Sequence, residues 1–249
     1  GCSALRPAAD DQPTATTAQA SHTENSVSAE QPETQSRPAV ETEDSATDEA
    51  RTSRYRPMPA ATLYSLLVAE MAGQRQRFDI SLYNYMDQAR KTRDPDIAAR
   101  ATRIAQYVGS SSLSMEALGI WLDSDPHNPA AHQAAAQLYM EQGRFSAALE
   151  HLATLQELAG ISQFDYLAAN SGHLPQDKQR QLAQELADLQ QRYPEDASLW
   201  YARAIMAQQL NQLPDAVSLI DRALDINPDY LSAGLQQARI LALMEDYDA

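Results

Sequence analysis

The chain has 249 residues, a formal net charge of −15, 43% hydrophobic residues and a single cysteine. A balance this acidic is repelled by phosphate backbones, which excludes nucleic acid as a partner. One cysteine excludes an intramolecular disulfide framework and any cysteine-based zinc site, and no run of ~18 apolar residues offers a membrane span.

Residues 1–57 are unlike the rest. Between Ser3 and Pro57 there is one aromatic, Tyr55, and almost no branched aliphatic residue, while Asp10 to Glu49 sets ten carboxylates against the single Arg37. Too little apolar surface is present to offset the entropy of ordering, so residues 3–55 are expected to be disordered. A flexible segment of ~55 residues has an rms span of ~40 Å, the reach of a tether. Its start, Gly1-Cys2-Ser3, resembles the cleavage point of bacterial lipoprotein signal peptides, in which the cysteine becomes a lipid-modified amino terminus. The resemblance implies lipidation at Cys2. Ser3 rather than aspartate after the cysteine implies sorting to the periplasmic face of the outer membrane. Several acyl chains hold a protein stably on a bilayer. Arg51, Arg54 and Arg56 form a small basic cluster at the end of this segment.

Residues 58–249 read as paired helices. Ala61 to Asp94 carries Leu63, Leu66, Leu67 and Met71 on a first helix, then Ile80, Leu82, Tyr85, Met86 and Ala89 on a second. Pro95 opens another pair, with Ala98, Ala101, Ala105 and Val108, a break at Gly109-Ser110-Ser111-Ser112, then Met115, Leu118, Trp121 and Leu122. Pro95 lies 31 residues before Pro126, which predicts a shortened or shifted turn there.

From Pro126 onward a ruler is visible. Pro194 and Pro228 are 34 residues apart, and Pro126 lies 68 before Pro194. A period of ~34 residues marks the tetratricopeptide repeat, a helix–turn–helix unit that stacks into a solenoid. Trp200, Ala204 and Ala207 form one stripe and Ala216, Ile220 and Ala223 the facing one. His132, Ala136, Tyr139, Gly143, Phe145, Ala148, Leu152 and Leu155 occupy the matching places two repeats earlier. In the repeat between them, Leu182, Leu186 and Leu189 keep the second helix, but Ser171-Gly172-His173-Leu174-Pro175 cuts the first one short. The predicted fold is an all-α, right-handed solenoid of about five repeats plus the first helix, Leu231 to Met244, of another. Terminal repeats normally carry a polar capping helix, so the chain is expected to continue past Ala249.

The chain has no glycine-rich phosphate loop, no His-Glu-x-x-His and no Gly-x-Ser-x-Gly elbow, and its five histidines do not fall at metal-ligand spacing. The expectation is a protein without enzymatic activity, cofactor, metal or small-molecule substrate.

Three segments within residues 61–108, LYSLLVAE, AGQR-x-RFD and TRDP-x-IAARATRIA, resemble the amino-terminal repeats of outer-membrane tetratricopeptide lipoproteins of gammaproteobacteria. That resemblance implies an adaptor for a periplasmic carboxy-terminal processing protease, presenting cell-wall hydrolases as substrates. Arg75, Arg77, Arg93, Arg100 and Arg103 make this segment locally basic, as an interface or as ion-paired and solvated side chains. Of these, Arg75, Arg77 and Arg103 are candidate contacts. The concave face is expected to be lined by Gln133, Gln137, Met140, Tyr201, Ile205 and Gln208, with Arg239 beyond. This set lacks the Lys/Asn/Arg combination that clamps a partner's terminal carboxylate. Two other readings stay open: a scaffold for envelope assembly (polysaccharide export, pilus biogenesis or outer-membrane protein insertion), and the docking region of an enzyme whose catalytic domain lies past residue 249.

Overall fold

The computed structural model describes residues 58–248, and side-chain placement through Met244. The expected disorder of residues 3–55 and the expected lipidation of Cys2 lie outside the described residues. The described residues hold eleven helices and no strand. In order they are α1 (Ala60–Gln74), α2 (Phe78–Thr92), α3 (Pro95–Tyr107), α4 (Ser111–Ser124), α5 (Pro129–Glu141), α6 (Phe145–Ala159), α7 (Phe164–Asn170), α8 (Gln176–Gln190), α9 (Ala197–Gln209), α10 (Leu213–Ile226) and α11 (Leu231–Asp248). Most helices pack on their chain neighbours, as a helix-pair solenoid requires.

The start of each regular first helix is fixed by chemistry at a constant interval. Asp94 accepts hydrogen bonds from the backbone N–H groups of Asp96 and Ile97, Asn128 from Ala130 and Ala131, and Asp196 from Leu199. These caps stand 34 and 68 residues apart. Each satisfies N–H groups that a helix start leaves without partners. Pro95 and Pro129 follow the first two caps at the first helical position, where a missing N–H is harmless. The spacing from Pro95 to Pro126 therefore compared unlike places. The equivalent of Pro95 is Pro129, 34 residues on, and no turn is shortened.

The turn within a pair follows the same ruler. Gly109 (φ +72°), Gly143 (φ +72°) and Asn211 (φ +60°) are left-handed. The next residue's N–H reaches back into the helix in each case: Ser110 to Ala105 O at 2.9 Å, Arg144 to Tyr139 O at 2.8 Å, Gln212 to Ala207 O at 2.8 Å. This closure satisfies the last carbonyls of the first helix and reverses the chain.

Alanine dominates the helix crossings. Ala98, Ala101, Ala105, Ala117, Ala135, Ala148, Ala202, Ala216 and Ala223 are fully buried and let backbones approach closely. Larger side chains, including Met86, Leu118, Leu152, Phe164, Leu186, Met206 and Ile220, fill the space between pairs. The core runs as three successive clusters along the stack.

The fourth pair is the irregular one. α7 has only seven residues, and it packs on α9 of the following pair rather than along its own partner α8. Ending a helix early leaves carbonyls without intrahelical partners. Two glutamines supply donors instead: Gln209 Nε2 donates to Ala168 O at 3.0 Å and Gln179 Nε2 to Gly172 O at 3.1 Å.

Candidate protein-binding groove

The shortened α7 opens a groove beside α5. One cleft of about 380 Å³ is lined by Gln133, Ala136, Gln137, Met140, Gln163 and Tyr166. A second, of about 300 Å³, shares Gln137, Met140 and Tyr166 with it and extends to Asn170 and His173. Together they make one polar, nearly neutral trough. Its carboxamides can donate and accept at once, and Tyr166, 56% exposed, offers a broad ring. The one carboxylate here, Glu141, accepts from Gln137 Nε2 at 3.1 Å.

Gln133, Gln137 and Met140 thus come together as a group. Gln163, Tyr166, Asn170 and His173 complete the lining and were missed, because they sit in the irregular pair where the repeat register gives no guide. The usable signal was the interruption itself: a short first helix uncovers its neighbour.

Tyr201, Ile205, Gln208 and Arg239 are placed differently. Tyr201 is only 8% exposed, its ring 5.2 Å from that of Tyr230 and its hydroxyl donating to Ser232 O at 3.2 Å. Burial, then the nearby Asp165 carboxylate, raises its pKa. Two repeats separate Gln133 from Tyr201, yet the outcomes differ because residues at the start of α11 cover α9, whereas α7 leaves α5 open. Ile205 is half-buried between the second and third core clusters. Gln208 bonds with Gln236, which in turn accepts from the exposed Arg239 at 3.2 Å. These four belong to the seam between α9 and α11 and do not share the trough.

That seam is tied by a carboxylate. Asp165 accepts from Tyr230 Oη at 2.6 Å and from Ser198 Oγ at 3.0 Å, joining α7, α9 and the segment before α11. Burial first, and this hydrogen bond second, push the Tyr230 phenol well up. Between α5 and α6 lies another polar contact, with His132 Nδ1 and His151 Nδ1 2.9 Å apart.

The arginines of α1–α3 are mostly engaged. Arg77 pairs with Asp79 at 3.0 Å, Arg93 with Asp123 at 2.9 Å and Arg100 with Glu70 at 3.3 Å. Glu70 also accepts from Tyr85, and that bond, more than Arg100, holds its carboxyl below the usual range. Arg75 and Arg103 are exposed and have no carboxylate within 4.0 Å among the described residues. Among the described residues no group of three or more His, Cys, Asp or Glu could hold a metal ion, and no helix is long and apolar enough to cross a membrane.

Helix pairs at a 34-residue period, left-handed turns on that period and alanine crossings define a tetratricopeptide-repeat solenoid. Residues 117–169 match the tetratricopeptide repeat family. Such repeats typically serve as non-catalytic scaffolds for protein–protein interaction. The chain is homologous to a TPR repeat-containing protein of Pseudomonas aeruginosa, 36% identical over 180 residues that span 72% of this chain and 30% of that protein. It therefore covers less than a third of that relative's length. Similar solved structures include MamA of Desulfovibrio magneticus, with a TM-score of 0.43, 12% identity, and 77% of this chain and 90% of that one covered. Another is YrrB, described as a TPR protein with an unusual peptide-binding site, with a TM-score of 0.42, 13% identity, and 78% and 98% covered.

Proposed function

We propose that this protein is a non-catalytic adaptor, anchored by lipid at Cys2 to the periplasmic face of the outer membrane. It recruits a carboxy-terminal processing protease and presents cell-wall hydrolases to it. The observation that carries the binding role is the trough between α5 and α7, two joined clefts lined by Gln133, Gln137, Met140 and Tyr166. Carboxamides at this density suit an extended peptide, whose backbone offers a donor and an acceptor at every residue. A stacked surface can hold an enzyme at one stretch and its substrate at another. Colocalisation then makes the encounter effectively intramolecular, at effective concentrations up to ~mM. Arg75, Arg77 and Arg103 are the candidate contacts for the second partner. The nature of the partners rests on the resemblance of residues 61–108 to the lipoprotein adaptors.

The test is cleavage of a cell-wall hydrolase by the processing protease, with and without this protein. The expected result is a rate that rises with adaptor concentration and falls again when excess adaptor separates the two partners. Tyr166→Ala with Gln137→Ala should weaken one partner while leaving helicity intact. A rate unchanged over a wide concentration range would overturn the adaptor reading in favour of an assembly scaffold. Replacing Cys2 by Ser in the precursor should move the protein from the membrane to the soluble fraction, and retention on the membrane would place the anchor elsewhere.

A further inference from the structure

Arg203 is the one lysine or arginine among residues 58–244 that is not exposed. From α9 it lines a cleft of about 360 Å³ between α8 and α10, the second helices of consecutive pairs. Its walls are mainly apolar, with Ala183, Ala187, Ala207 and Leu219, and its polar members are Gln212, Ser218 and the exposed Asp215. This cleft is separate from the trough beside α5 and shares no residue with it.

The guanidinium is held in place without being neutralised. Its Cζ lies 4.9 Å from the centre of the Trp200 ring, and the indole is itself pinned by donating to Pro194 O at 2.8 Å. Arg222 approaches the same ring at 5.7 Å, but it also has Asp225 at 3.6 Å. Arg77, Arg90, Arg93, Arg100 and Arg192 likewise each hold a carboxylate within 4.0 Å. Arg203 has none among the described residues, and burial alone depresses its pKa. Among the described residues, no carboxylate is thus placed against the least exposed arginine. A guanidinium carries five N–H donors in a fork that matches a carboxylate, and partial desolvation strengthens that pairing.

We propose that this cleft binds an acidic, otherwise apolar segment of a partner protein, with one glutamate or aspartate carboxylate seated on Arg203 and apolar neighbours on the alanines. Opposite charge supplies the recognition. The apolar walls select a side chain carried on a peptide over a small free anion, which would leave them uncovered. The exposed Asp215 disfavours a second acidic group beside the first, so the segment presents a single carboxylate.

The test uses the 249-residue chain, isotope-labelled for NMR, and the capped peptide Ac-Leu-Ala-Glu-Leu-Ala-Leu-NH2. The expected result is a saturable shift of the Trp200 indole N–H and the Arg203 Nε–H. The same peptide with glutamine for glutamate should bind about tenfold more weakly or worse. Arg203→Gln should reduce affinity for the glutamate peptide to the level of the glutamine one, and Arg203→Lys should retain part of the preference. Lys91→Gln, far from the cleft in sequence and exposed, should change nothing. Circular dichroism of each variant reports whether it is folded. Equal binding of the two peptides, undiminished binding by a folded Arg203→Gln, or no saturable shift would overturn the proposal. A response to sodium acetate matching the peptide's at equal carboxylate concentration would also overturn it, reducing the cleft to a simple anion site. None of these outcomes depends on the protease assay.

Discussion

Acid should loosen the α5–α6 pair at one identified contact. His132 Nε2 lies 3.0 Å from Pro126 O, so that nitrogen carries the proton and His132 Nδ1 is left as an acceptor. His151 Nδ1, 2.9 Å away, is then the donor. The His151 ring also stacks on Tyr139 at 5.3 Å, and Arg144 covers that tyrosine's ring at 4.5 Å. Protonating His132 would set N–H against N–H, and a charge on His151 would sit in a half-buried place beside a second imidazole. Burial first, and His132 second, push His151 down to about 4 from 6.5. Between those values the unfolded chain binds the proton and the folded one does not, so stability rises with pH. The contribution is complete above pH 6.5, is lost as pH falls toward 4, and is flat below. Taken whole, the shift corresponds to a ceiling of about 3 kcal/mol, and solvent reaching the ring reduces the expected effect to about 1–2 kcal/mol. Urea unfolding at pH 7.5 and 4.5, for the wild type and His151→Asn, isolates this from the titration of carboxylates common to both. The wild type should lose about 1–2 kcal/mol more than the variant over that interval. Equal losses, or an imidazole titration for His151 centred above pH 6, would refute the reasoning.

Other perturbations follow from the packing and the turns. Ala216→Leu places extra volume at a fully buried crossing and should cost about 1–3 kcal/mol in chemical denaturation. A neutral result would mean that α9 and α10 can separate freely. Gly143→Ala should cost about 1 kcal/mol through its φ of +72° alone, because an added Cβ meets nothing within 4 Å. Asp94→Ala removes the cap of α3 and should lower stability by about 1 kcal/mol, with Asp94→Asn largely restoring it.

Much of this architecture was written in spacing. The 34-residue interval between prolines and the small residues facing each other at Ala204 and Ala216 sufficed for the fold, because a repeat states the same pattern several times. The early pairs looked irregular only because prolines take two different places in the unit, inside the loop at Pro126 and at the first helical position at Pro95 and Pro129. The caps Asp94 and Asn128 carry the truer register. The binding face was less legible. A period says which positions are equivalent, but exposure depends on what the next pair lays over them. Gln133 and Tyr201 share a register position and part company for that reason. The Asp165–Tyr230 and Arg203–Trp200 contacts were out of reach of any periodic reading, since each depends on side-chain direction across two or three helices.

The brevity of α7 carries a lesson about how a repeat array acquires a feature. Each unit touches chiefly its neighbours, so removing a turn from one helix disturbs only the local stack. Here two glutamine side chains bond the carbonyls at the severed end, and two joined clefts lie along α5 beside it. Novelty in such a molecule can arise by subtraction: an excision in one unit, patched at the cut, creates a recess that no added residue had to build. Lengthening α7 by a turn would refill that recess and return the array to uniformity, leaving a sturdier stack with less to hold on to.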